Sequence, residues 1–143
     1  MARDLIYEVK GLLPEKVILS IEKELSISED IDQEVDRAAA VFGYYAVLAE
    51  KAETRYYKLK FACEVWEAET EHAVNQEREY QEKKPLAEKK LTAMVRSRPK
   101  YRSYQLKLIE IGEQKRVLKV LAKAFEKRAD MIQTKSSNRR SER

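Results

Sequence analysis

The chain has 143 residues, 38% of them charged, with three Gly, three Pro and a net charge of +4. One domain fits that length, and so few turn residues exclude a sheet-rich fold, which punctuates its strands with them. With no run of 18 apolar residues and with charges throughout MARDLIYEVK, neither a membrane-spanning helix nor a secretory signal is expected.

The first predicted element is short and broken. LIYEVKGLL is followed by Pro14, a good first helical residue, and then by EKVILSIEKEL. Val17, Ile18, Ile21 and Leu25 recur at three- and four-residue steps and mark one buried face. Ser28, followed by Glu29 and Asp30, fits a helix N-cap with acids in the first turn.

A long helix is predicted from there to about Tyr80, roughly 78 Å at 1.5 Å per residue. Val35, Ala38, Phe42, Tyr45, Ala49, Ala52, Tyr56, Leu59, Cys63, Trp66, Thr70 and Ala73 alternate spacings of three and four. That is a heptad seam held for more than five repeats. Gly43 costs such a helix about 1 kcal/mol against alanine, small beside the packing of so long a seam.

After Pro85 comes a short amphipathic segment, LAEKKLTAMV, ending near Ser97. Pro99 then allows a new helix, with Ser97 available as its cap. The seam resumes in Tyr104, Leu108, Ile111, Lys115, Leu118, Ala122, Phe125, Ala129 and Ile132. Lys115 alone breaks the apolar pattern, and its long stem can snorkel. The apolar pattern stops at about Gln133, and residues 135–143 read as a basic, disordered tail.

The predicted fold is therefore all-α. Residues 1–134 form one elongated helical domain, a long antiparallel helical hairpin or coiled coil with short N-terminal helices. A rod of this kind cannot bury all its apolar residues within one chain, so assembly into a homo-oligomer is expected. The expected core and oligomer seam is centred on Phe42, Tyr45, Tyr56, Leu59, Trp66, Leu108, Ile111, Leu118 and Phe125.

Charge is divided unevenly. Residues 1–50 hold 11 acidic and 5 basic side chains, net −6, whereas residues 51–143 hold 14 and 24, net +10. The split points to a polyanion site in the second half, although solvated helix faces also produce such splits. Within VRSRPKYRSYQLKL, residues 95–108, the cations Arg96, Arg98, Lys100, Arg102 and Lys107 surround Tyr101 and Tyr104, and no acid occurs from Lys89 to Ile109. A second basic group is RYYKLK, with Arg55, Lys58 and Lys60; a third is the tail, with Lys135, Arg139, Arg140 and Arg143.

Lys and Arg neutralise phosphates and release counterions, while tyrosines among them offer faces for unpaired bases. Stacking needs bases already free of a duplex, which favours single strands. Tyr56 and Tyr104 belong to the seam; Tyr57 and Tyr101 are freer to meet a ligand. Cations around Pro99 also oppose the helix dipole, whose N-terminal end prefers anions.

Catalysis has little support. Cys63 is the only cysteine and His72 the only histidine, with no elbow or triad signature. Cys63 falls on the seam and reads as a small packed thiol in a reducing compartment. Glu67, Glu69 and Glu71 read as a solvated face, His72 with Glu69 as too little for a metal site, and no glycine-rich phosphate loop is present. Neither a metal nor a cofactor is expected.

The order AVFGYYAVLAEKAE, then KKLTAMVRSRPKY, then LAKAFEKRADMI with its late Arg128 resembles the phage UvsY-type recombination mediators. The similarity covers roughly residues 35 to 140. These are small helical proteins that bind single-stranded DNA and help load a RecA-like recombinase onto strands coated by single-strand-binding protein. The resemblance implies a ring-like homo-oligomer in the cytoplasm of an infected or prophage-carrying bacterium, with recombinase and single-strand-binding protein as partners. One departure stands out. Where the family has a basic Lys-x-Arg-Leu type motif on the long helix, this chain has the acidic WEAETEHAV. DNA contact is then expected at Arg96, Arg98, Lys100, Tyr101 and Arg102, or at Arg55, Lys58 and Lys60. The alternative is a non-enzymatic helical scaffold or assembly chaperone that acts through coiled-coil protein contacts without nucleic acid.

Overall fold

The structure, a computed structural model, describes residues 31–142, with side chains from Gln33 onward. The N-terminal helices expected in LIYEVKGLL and at 14–25, the Ser28 cap and Arg143 lie outside the described residues. Three helices follow in order: α1, Ile31–Tyr80; α2, Glu88–Arg96; and α3, Pro99–Ser141. The described chain is helical with no strand, in keeping with the all-α expectation. It divides into two compact units, each including parts of α1 and α3. Among the described residues, one comprises those up to Glu53 and those from Gly112 onward, and the other is Thr54–Ile111.

In the first unit, Val41, Tyr45 and Ala52 of α1 pack with Leu118, Leu121, Ala122 and Phe125 of α3. Phe42, Leu48, Ala49 and Val117 flank this cluster. The Tyr45 and Phe125 rings are stacked, with centroids 4.6 Å apart and planes 10° from parallel. Val41 and Leu121, the latter wholly buried, lie beside the predicted seam. The apolar stripe is thus wider than a strict heptad line, as on a core-facing helix. A methyl group at Gly43 would meet nothing within 4 Å, so the glycine's cost to α1 is conformational alone. Glu34 is buried and is held by Arg37 at 3.2 Å and Arg128 at 3.8 Å, which gives the late arginine a structural partner.

In the second unit, Cys63 and Thr70 of α1 are buried, as are Leu91 and Val95 of α2. Moving back along α1, Glu71 meets Thr92, Glu67 meets Arg96, Trp66 meets Tyr104 and Cys63 meets Gln105. The partners ascend as α1 descends, so α1 runs opposite to the segments that cover it. The Thr70 hydroxyl donates to the Trp66 carbonyl at 2.6 Å, which satisfies a buried polar group within its own helix.

The end of α1 shows why the chain turns where it does. Lys83 N–H donates to the Arg78 carbonyl and Glu82 N–H to the Glu79 carbonyl, the paired bonds of a Schellman C-cap. That motif places Glu82 in the left-handed region, with φ 59°, where a non-glycine residue costs roughly 1–2 kcal/mol. Glu82→Gly is expected to raise unfolding stability by about 1 kcal/mol, read as a higher urea midpoint at unchanged slope. A lowered midpoint would contradict this account of the turn.

Two boundaries differ from the sequence expectation. Ser97 does not cap α3. Its hydroxyl donates to the Met94 carbonyl at 2.6 Å, closing α2, and the cap position of α3 falls on Arg98. In addition, α3 continues to Ser141, so the described part of the tail is helical. Ser136 is buried one step beyond Ile132 on the same stripe. Thr134 donates to the Asp130 carbonyl, Arg140 to the Ser136 hydroxyl and Ser141 to the Ser137 carbonyl. Arg139 and Arg140 complement the C-terminal dipole of the last turn.

Candidate nucleic-acid interface

The turn from α2 to α3 lies within the second unit. Pro99 opens α3 without needing an N–H partner, and the Arg98 carbonyl accepts from Tyr101 N–H at 3.1 Å and Arg102 N–H at 3.4 Å. A helix start usually carries Ser, Thr, Asp or Asn, whose side chain accepts an amide proton, and acids in its first turn. Here the cap is arginine and the first turn holds no acid. Arg98, Lys100 and Arg102 are all exposed, and none of them pairs with a carboxylate among the described residues. Three cations are thus gathered where the helix dipole disfavours them.

The other residues expected at this site divide by environment. The Arg96 guanidinium lies 3.7 Å from Glu67 and 5.7 Å from the centre of the Tyr101 ring. Tyr101 is half-buried, so its ring is less free than its place in the sequence suggests. Tyr104 sits against Trp66, with centroids 6.0 Å apart, and packs in the seam. Arg55, Lys58 and Lys60 are exposed on α1 of the same unit. Of the seam residues, Tyr45, Leu118 and Phe125 are buried, whereas Phe42, Tyr56, Leu59, Trp66, Leu108 and Ile111 are half-buried. Buried Leu91, Val95, Val41 and Leu121 were not picked out by the heptad spacing, although each lies three or four residues from another apolar side chain.

One exposed residue carried no signal beyond its type. Phe61 is 67% exposed, four residues after Tyr57, which is 52% exposed. Both point away from the seam.

Cys63 is buried, and its thiol is pushed above the ordinary value of 9.0, chiefly by burial, with the Glu67 carboxylate adding to the effect. Gln105 Nε2 donates to its Sγ at 3.7 Å. A thiol kept neutral is a poor nucleophile, so Cys63 should react with a disulfide reagent at pH 8 only as fast as the protein opens, and at once in denaturant. Equal rates in both conditions would contradict this. Because the folded thiol ionises at higher pH than the unfolded one, its contribution to stability is complete below pH 9.0 and falls as pH rises past it. No group of three metal-ligating side chains occurs among the described residues, and none of the described helices is long and apolar enough to cross a membrane.

Compared with protein-family models, with curated proteins and with solved structures, the chain gives no match.

Proposed function

We propose that this protein binds single-stranded DNA through the cationic turn between α2 and α3, as a recombination mediator that promotes loading of a RecA-like recombinase. The observation that supports the reading best is the helix start itself. Arg98, Lys100 and Arg102 crowd an N-terminal turn that has no acid and no capping side chain. Such a departure from local preference is expected at functional sites. Neutralising phosphates gives those cations a favourable partner and releases counterions. In this reading the chains associate into a homo-oligomer through antiparallel hairpins, with recombinase and single-strand-binding protein as further partners in the cytoplasm. No step needs a catalytic residue, metal or cofactor.

A second reading, a helical scaffold that meets only proteins, is favoured by the exposed Leu106 and Ile109 of α3, which lie three residues apart on one helix face. Fluorescence anisotropy of labelled oligo-dT separates the two. A mediator binds, and log Kd rises with log salt by about 0.7 per phosphate neutralised. No binding at low salt would leave the scaffold reading in place.

A further inference from the structure

We infer that Tyr57 and Phe61 form a base-stacking platform on the outer face of α1, a second contact for the single strand proposed above. The inference rests on that reading and adds the residues that hold bases.

The two rings lie four residues apart, so they share one face of the helix, about 6 Å from each other along the axis. Both are more than half exposed, although an aromatic side chain gains most of its free energy by burial. The Tyr57 ring is set edge-on against the half-buried Tyr56, with centroids 5.5 Å apart and planes at 78°. That contact limits its rotation and presents a face at low entropic cost.

The surrounding charge favours an anionic occupant. Thr54–Cys63 contains Arg55, Lys58 and Lys60 and no acid. Lys60 lies three residues after Tyr57, and Lys58 three residues before Phe61, so each ring has a lysine on an adjacent row of the helix. All three cations are exposed. Cations beside exposed rings match a strand that carries both phosphates and unpaired bases. The platform is bounded by Glu53, four residues before Tyr57, and by Glu64, three residues after Phe61. Successive nucleotides of a duplex strand rise 3.4 Å, less than the spacing of the rings, so the strand must be unstacked to reach both.

The test compares wild type with the double variant Tyr57→Ala, Phe61→Ala on oligo-dT, on an abasic oligonucleotide of equal length and on heparin. Both side chains are exposed, so the variant should keep its circular dichroism. A further variant, Tyr57→Phe, keeps the ring. We expect the alanine variant to bind oligo-dT at least about tenfold more weakly with an unchanged salt slope. Binding to heparin and to the abasic strand should hold, and Tyr57→Phe should behave as wild type. If wild type binds oligo-dT and the alanine variant binds it equally well, the platform is overturned while the cationic turn stands. If wild type binds no oligonucleotide, the reading beneath it fails as well. If the alanine variant instead loses self-association and keeps its oligo-dT affinity, the face belongs to another copy of the chain, and the inference is again overturned.

Discussion

Phe125→Ala is expected to lose about 3–5 kcal/mol of unfolding stability, the usual range for truncating a buried phenylalanine. The ring has little room to be replaced. It is buried within the cluster of Val41, Tyr45, Leu118, Leu121 and Ala122 and stacked on a Tyr45 that is itself wholly buried. Truncation removes dispersion contacts on one face of Tyr45 and leaves a cavity between two helices that cannot close without moving both. Against a total stability of about 5–15 kcal/mol, the variant should sit near its unfolding midpoint on mild warming. Urea denaturation followed by circular dichroism measures the effect. Phe125→Leu, which keeps most of the volume, should lose less than half as much. Tyr44→Ala, at an exposed ring that only edges against Tyr45, should lose less than about 1 kcal/mol. A small loss for Phe125→Ala would mean that this cluster is not the core of its unit.

Neutralising the cationic turn should have the opposite signature, weaker binding with improved stability. With Arg98, Lys100 and Arg102 all changed to Gln, the salt slope for oligo-dT should fall by about 2, at roughly 0.7 per lost phosphate contact. In 0.1 M salt this amounts to about a hundredfold loss of affinity relative to wild type. Removing cations from a helix start relieves an unfavourable dipole interaction worth roughly a few tenths of a kcal/mol each, so the melting temperature should hold or rise. Arg96 is left in place because it faces Glu67, and changing it would confound binding with folding. Unchanged affinity would show that the three side chains are solvated surface. A lowered melting temperature would show that they support the turn.

The three- and four-residue spacing read in the sequence finds the packed helix face, but only part of that face is fully buried. Val35, Phe42, Ala49, Tyr56, Leu59 and Trp66 are half-buried, and Ala73, at the end of the expected seam, is exposed. The fully buried seam positions are Ala38, Tyr45, Ala52, Cys63 and Thr70 on α1, seven or eleven residues apart, and Leu118, Ala122, Phe125 and Ile132 on α3. Periodicity reports burial because side chains three and four apart share a helix face. It is silent where a buried residue is small and polar. Ser136 extends the stripe without an apolar signature, so the last two turns of α3 read as tail. Cap choice was also illegible: Ser97 can serve the helix before it or the helix after it, and only the backbone shows that its hydroxyl turns back to Met94. Glu82 gives no warning of its left-handed conformation, since glycine is the usual sign of such a cap. At the proposed interface the cations were visible as an acid-free run. The separation of packed Tyr104 and half-buried Tyr101 from exposed Tyr57 and Phe61 depends on helix facing and on neighbours such as Trp66 and Arg96.

The two units also differ in how much chain must be gathered before they hold. Thr92 meets Glu71 across 21 positions and Gln105 meets Cys63 across 42. The stacked pair Tyr45 and Phe125 closes over a far longer span. Each doubling of a closed loop adds roughly 0.6 kcal/mol of entropic cost, so Thr54–Ile111 should order first, and the Tyr45–Phe125 cluster should zip up behind it. Truncations at Leu91 or Val95 are then expected to slow refolding, with φ-values above those at Leu121. Phe125→Ala should leave the folding rate nearly intact and act by accelerating unfolding.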